Sequence, residues 1–192
     1  SRIYIFEHQY GTDTACCIFE WVAPGTVPSK RIFQGLPLSG FPWWLSMMKK
    51  NQVIMYRDIE EIPGEREKEV LSALGIKSIL AVPLYTGKTY YGFMGFDERR
   101  RYRDWRDEEV YVLKAAAQII GATIRRKQAE EALRGSENIY RAIFENTGTA
   151  TIIIEEDMTI SLANREFEKI SGYSRAELEG SKKWPIFFKN ED

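Results

Sequence analysis

Histidine occurs once in the 192 residues, at His8, and cysteine twice, at Cys16 and Cys17. That scarcity excludes a metal cluster of the usual His/Cys kind and a disulfide-stapled scaffold. A lone His8, without a G-x-S-x-G elbow, also excludes a histidine-based nucleophilic triad. Neither charge is in excess: 27 Lys and Arg stand against 28 Asp and Glu, a net charge of −1. Nothing therefore drives sequence-independent binding to nucleic acid or anionic lipid. No apolar run approaches the ~18 residues that span a bilayer. Ser1-Arg2 leads straight into Ile3-Tyr4-Ile5-Phe6, without a signal-peptide pattern. A chain that opens on a strand without Met reads as a piece of something longer.

The two cysteines are adjacent, and neighbours on a strand point to opposite faces. A bridge between them falls outside disulfide geometry. Two free thiols fit a reducing, cytoplasmic setting. They read first as small buried apolar residues, with redox sensing or cofactor attachment as the lesser reading.

What is present is a core: 44% of residues are hydrophobic and 29% charged, enough for one generous domain or two small ones. The first part alternates strands and helices. Strands are expected at 3–6 and 14–23 around a turn at Gly11-Thr12-Asp13, and at 52–56. Pro42 suits the first turn of a helix running to Lys50, and a second helix, 65–74, follows an acidic first turn and stops at Gly75. Ser78–Tyr85 and Thr89–Asp97, joined by Thr86-Gly87-Lys88, form a hairpin. Gly92 and Gly95 inside it mark a bulge or a close approach of backbone or ligand, with the bulge preferred.

A long helix starts near Trp105. Val110, Leu113, Ala117, Ile120 and Ile124 recur three and four apart, a stripe of coiled-coil character read as a dimer seam. After Arg125-Arg126-Lys127, read as a solvated basic face, the seam resumes in a shifted register at Ala129, Leu133, Ser136, Tyr140 and Ile143. Such a break is a stutter. Strands at 149–154 and 159–163 then precede a short helix capped by Asn164 and ended by Gly172.

Two resemblances follow. Ser1-Arg2-Ile3-Tyr4-Ile5-Phe6-Glu7, Glu20-Trp21-Val22, Ser78-Ile79-Leu80-Ala81-Val82-Pro83-Leu84 and Tyr91-Gly92-Phe93-Met94-Gly95-Phe96-Asp97 resemble a GAF domain, a small-molecule sensor module. Trp105 followed by Asp107-Glu108-Glu109 opens its final helix. Ser136-Glu137, Tyr140–Asn146, then Asn164, Phe167, Gly172-Tyr173-Ser174, Leu178 and Gly180 resemble the first half of a PAS domain. The resemblance implies an α+β fold: a GAF-type central antiparallel sheet flanked by helices, a long linker helix, then a partial PAS α/β unit. The expected divisions are a GAF domain over 1–104, lacking its first helix, a linker helix over 105–145 and half a PAS domain over 146–192.

The order GAF, helical linker, PAS is similar to the input region of a multi-sensor histidine kinase. Its wording is closest to those of methanogenic archaea and some bacteria. This implies a non-catalytic, cytoplasmic, homodimeric sensory region acting on a downstream kinase domain of the same parent chain. The sensory region of a diguanylate cyclase is the alternative, and a GAF-type free methionine-sulfoxide reductase a minor one. No phosphoacceptor helix or Gly-rich nucleotide motif is present, so kinase chemistry is not expected within these residues.

The ligand is unidentified, and the place for it is the pocket between the GAF sheet and its cover. Trp43, Trp44, Tyr56 and Phe96 are the candidate lining residues; they either stack on a planar ligand or form the domain's own core, with core favoured. Cyclic-nucleotide GAF domains carry an Asn-Lys pair that 98–103 lacks. Bilin-binding ones use a Cys followed by His, whereas Cys17 precedes Ile18. Haem attached through Cys16 or Cys17 is the remaining cofactor option.

Overall fold

The computed structural model describes residues 1–187, so residues 188–192 of the expected PAS segment lie outside the described residues. The chain forms two compact units, Ser1–Lys127 and Gln128–Asp192. The first contains β1 (Arg2–Gln9), β2 (Thr14–Val22), β3 (Leu36–Pro37), α1 (Pro42–Lys49), β4 (Ile54–Tyr56), α2 (Glu65–Ala73), β5 (Ser78–Thr86), β6 (Thr89–Glu98) and the start of α3 (Asp107–Glu145). The six strands make one sheet in the order β3-β2-β1-β6-β5-β4, every pairing antiparallel. This is the GAF-type α+β sheet implied by the sequence.

Strand alternation sends side chains to two separate cores. Tyr4, Phe6, Cys17, Ile54, Ile79, Ala81 and Phe93 face α1, α2 and the loop carrying Phe33. Leu80, Val82, Leu84 and Met94 face α3. β5 is thus buried on both sides, which is why it reads as an unbroken apolar run.

The stripe expected to meet a second chain is occupied by the chain's own sheet. Leu113 and Ala117 are buried at 2% and 4% exposure against β5 and β6, with Val110, Ile120 and Ile124 packed on the same cluster. Helix α3 also runs from Asp107 to Glu145 as one element, without a break at the basic triplet. The apparent stutter is a change of face rather than of winding. The seam assigned to Val110, Leu113, Ala117, Ile120 and Ile124 is therefore corrected to an internal contact.

Both expectations for the β6 glycines are met in part. A bulge lies on β6 beside Gly92: Leu84 pairs with Gly92 and Tyr85 with Tyr90, leaving Tyr91 as the extra residue. A Cβ on Gly92 would run into the Phe6 carbonyl, and one on Gly95 into Leu80 and Tyr4. The glycines let β1, β5 and β6 close up, and protein rather than ligand occupies the space.

The second unit holds β7 (Ile152–Ile154) and β8 (Ile160–Ala163), a two-stranded antiparallel sheet, then α4 (Arg165–Ser171) and α5 (Arg175–Leu178). Ile160, Ala163, Phe167 and Leu178 form its core. Asn164 is fully buried at its centre. Its Oδ1 accepts from the amides of Thr151 and Phe167 at 2.9 and 3.0 Å, and its Nδ2 donates to the carbonyls of Phe144 and Thr149 at 3.0 and 2.8 Å. Residues 149–151 are held by this side chain, which is why the strand expected from 149 begins at Ile152.

Replacing Asn164 with Ala strands four backbone groups, those of Phe144 and Phe167 buried and those of Thr149 and Thr151 partly so. The expected cost is about 3 kcal/mol. Asn164→Asp should not rescue it, because a carboxylate faces two carbonyls. Hydrogen exchange checks both: amides of β7 and β8 should lose protection while those of β5 and β6 keep theirs.

Candidate functional site

A cavity of about 60 Å³ lies between the sheet and the α1–α2 cover. Its sheet wall is aromatic. Phe6 stacks on Phe93 with centroids 4.7 Å apart, Tyr4 stands edge-on to both, and Trp44 closes over Phe93 at 5.2 Å. Val70, Leu71 and Leu74 line it from α2, the last at that helix's end.

Two charged side chains also line the cavity. Glu67, on α2 and 3% exposed, accepts the Trp44 amide at 2.9 Å. Trp44 sits in the first turn of α1, so Glu67 caps that helix from a neighbouring element. Arg2, on β1, pairs with Asp97 on β6, its Nε donating to Oδ2 at 2.7 Å and its Nη2 at 2.5 Å from the same oxygen. The guanidinium also lies 4.6 Å above the Tyr4 ring and 3.3 Å from Glu20.

Burial alone would lower Arg2, but the adjacent Asp97 and Tyr4 hold it above the ordinary guanidinium range. Burial raises the Asp97 carboxyl against the pull of Arg2. It pushes Glu20 up too, but the amides of Ser29 and Lys30, with Arg2, bring that carboxyl below its usual value. The Trp44 Nε1 is buried and has no hydrogen-bond partner, leaving an N–H donor unspent in a ring that forms the wall.

Of the four candidate lining residues, only Trp44 reaches the cavity. Trp43 and Tyr56 touch each other at 6.0 Å and pack at the margin of the same core. Phe96 is corrected to the opposite face, where it stacks on Trp105 at 6.4 Å within the α3 core. The reason is its cross-strand partner: Phe96 sits opposite Leu80, and paired residues share a face. The residues that sequence reasoning missed, Arg2, Phe33, Glu67 and Phe93, come from four different segments. Only the charge of Arg2 inside an apolar strand signalled any of them.

Neither cysteine lines the cavity. Cys17 is buried, its thiol donates to the Phe19 carbonyl at 3.2 Å, and burial pushes its pKa up to about 11. Cys16 is half-buried and accepts the Gly35 amide at 3.2 Å. A haem or bilin attached through either does not fit: the thiols lie outside the cavity, and its volume holds a few water-sized groups, far less than a tetrapyrrole. In the native chain at pH 8 a disulfide reagent should titrate one thiol, Cys16. The second should appear only on unfolding, since the Cys17 thiolate is scarce and covered.

His8 donates one hydrogen bond, from Nε2 to the Asp13 carboxylate at 3.0 Å, and lies outside the cavity lining. Among the described residues there is no group of three His, Cys, Asp or Glu placed to hold a metal ion. No helix among them is long and apolar enough to cross a membrane.

The family model of the GAF domain matches residues 9–124 and that of the PAS fold residues 138–182. The chain is 31% identical over 152 residues to the methanogenesis regulatory histidine kinase FilI of Methanothrix harundinacea, covering 75% of this chain and 17% of that protein. It is 30% identical over 117 residues to the methyl sulfide methyltransferase-associated sensor of Methanosarcina acetivorans, covering 59% of this chain and 12% of the other. The chain thus spans less than a fifth of either relative. In fold it is similar to the phycocyanobilin-bound GAF domain from a cyanobacterial phytochrome, with a TM-score of 0.57 at 17% identity over 68% of this chain and 77% of that one. With the sheet order, the two cores and a match over more than half its length, the chain belongs to the GAF domain family, and its second unit carries the opening of a PAS fold.

Proposed function

We propose that this chain is the sensory and signal-transmitting region of a sensor histidine kinase. The first unit takes a small molecule in the cavity beneath α1 and α2, and α3 passes the change toward the remainder of a longer, cytoplasmic protein. The observation that carries this reading is the cavity: an aromatic box with one unspent donor, Trp44 Nε1, and two buried charges at its wall. Such a site selects a molecule of only a few non-hydrogen atoms, largely apolar and bearing a hydrogen-bond acceptor. The relatives support the output, one being a regulatory histidine kinase and the other a sensor. The single histidine lies in a strand, so phosphotransfer is assigned to other parts of such a protein.

Native mass spectrometry of the purified chain tests the sensing step. A non-covalent mass that leaves on denaturation is expected, and Val70→Phe, which fills the cavity from α2, should abolish it without unfolding the protein. No bound mass, together with no thermal shift across a panel of metabolites of a few non-hydrogen atoms that carry a carbonyl or carboxylate, overturns the reading.

A further inference from the structure

The two charges that line the cavity are not equally met. The Arg2 guanidinium is paired twice, with Asp97 at 2.5 Å and with Glu20 at 3.3 Å. Little of its charge is left for a third anion. Glu67 is 3% exposed and accepts the Trp44 amide, but no cation pairs with it among the described residues. It stands in the first turn of α2 and against the first turn of α1, which suits a negative charge. A buried carboxylate is nonetheless ordinarily matched by a full cation. Capping alone asks for an acceptor, which an uncharged glutamine would also supply.

The rest of the wall favours the same sign. Tyr4, Phe6, Phe33, Phe41, Trp44 and Phe93 line the cavity, and the faces of aromatic rings attract a small cation, most strongly where water is excluded. The Trp44 indole adds a different demand. Its buried Nε1 has no partner, and an indole nitrogen can only donate. This is the residue whose amide Glu67 holds, so the carboxylate and the unspent N–H stand within one side chain of each other.

We propose that the cavity selects a small organic ammonium compound carrying an oxygen acceptor, an α-amino acid or its amide. The ammonium group lies against Glu67 and the rings, and the oxygen takes the Trp44 N–H. This rests on the cavity being a ligand site and narrows what fills it. A volume of about 60 Å³ admits glycine or a molecule little larger.

Nuclear magnetic resonance of the ¹⁵N-labelled 192-residue chain tests it at the indole N–H of Trp44, one of five tryptophans, assigned by its loss in Trp44→Phe. Glycinamide and propionamide differ by an ammonium in place of a methyl group, as do glycine and propionate. In at least one pair the ammonium compound should shift the Trp44 signal and bind about tenfold or more tighter than its methyl partner. Which pair does so tells whether the oxygen belongs to an amide or a carboxylate. Glu67→Gln keeps an acceptor for the Trp44 amide, so it should remove the preference and leave the circular dichroism spectrum unchanged. Methyl compounds that bind as well as their ammonium partners in both pairs overturn the proposal and leave the cavity a ligand site. So does propionate as the tightest of the four, or a preference that survives in Glu67→Gln. If none of the four moves the Trp44 signal, the proposal also falls. A co-purifying mass lost in Val70→Phe then keeps the cavity as a site for another class, and no such mass removes both.

Discussion

Arg2→Ala is expected to cost the first unit about 3–5 kcal/mol, the range for removing one partner of a buried ion pair. Arg2 is only 3% exposed although it stands second in the chain, and Asp97 is 1% exposed beneath it. Without the guanidinium the carboxylate keeps, among the described residues, no side-chain cation closer than Arg99, at 3.9 Å. Its other oxygen already lacks a hydrogen bond. The substitution also removes the cation above the Tyr4 ring and one wall of the cavity. Most of the loss is the penalty of leaving Asp97 charged in the core, which gives the variant a signature in pH. Burial already holds the folded Asp97 carboxyl above its ordinary value of 3.8, and without Arg2 it must rise further. Between the unfolded and folded values the folded state binds more protons, so acid favours it there. Arg2→Ala should therefore lose less stability relative to the parent near pH 5 than at pH 8, measured by urea denaturation. The double variant Arg2→Met, Asp97→Leu should recover most of the loss, because apolar residues of similar size can replace a buried pair. An equal deficit at both pH values would mean that lost packing, not the stranded charge, sets the cost.

That pair also marks the limit of what the sequence discloses. The β5–β6 hairpin, the α1 start at Pro42 and the Asn164 cap rest on neighbours in the chain, where turn chemistry and capping act over a few residues. Arg2 and Asp97 are 95 positions apart, and nothing local pairs them. The face that Phe96 takes is hidden for the same reason, since it follows from standing opposite Leu80, a matter of register between strands. Helix α3 conceals its arrangement in another way. Apolar residues at three-four spacing announce a buried face without saying what buries it. Read alone, the stripe from Val110 to Ile124 passes for a seam between chains, although the chain's own sheet covers it. The cavity is the least legible feature, since its wall gathers residues far apart in sequence, from β1, β3, β5, β6, α1, α2 and the loop at Phe33.

The two glycines of α3 should respond in opposite directions to the same substitution. Glycine in a helix interior is ordinarily a loss, and Gly→Ala gains about 0.8–1 kcal/mol by restricting the unfolded chain and supplying a better helix former. Gly135 meets nothing within 4 Å of an added Cβ, so Gly135→Ala should follow that rule. At Gly121 the added Cβ would collide with the carbonyl of Tyr85 on β5. The obstacle is backbone in a strand paired to β6 along its length, which cannot swing aside as a flexible side chain does. Gly121 lies between Ala117 and Ile124, where α3 rests on Leu80, Val82 and Leu84 in the sheet core. Gly121→Ala should therefore destabilise the first unit, and Gly121→Leu should cost about 3 kcal/mol, the upper end for overpacking a site that cannot relax. Lifting the helix there also withdraws Leu113 and Ala117 from the sheet. Thermal unfolding followed by hydrogen exchange separates the cases. Gly121→Leu should strip protection from β5 and the first half of α3, while Gly135→Ala should raise protection around residues 128–145. If both substitutions stabilise, the helix does not rest on Tyr85, and the sheet-facing stripe of α3 is wrongly placed. If Gly121 alone destabilises, the inner face of α3 is fixed by backbone contact with β5.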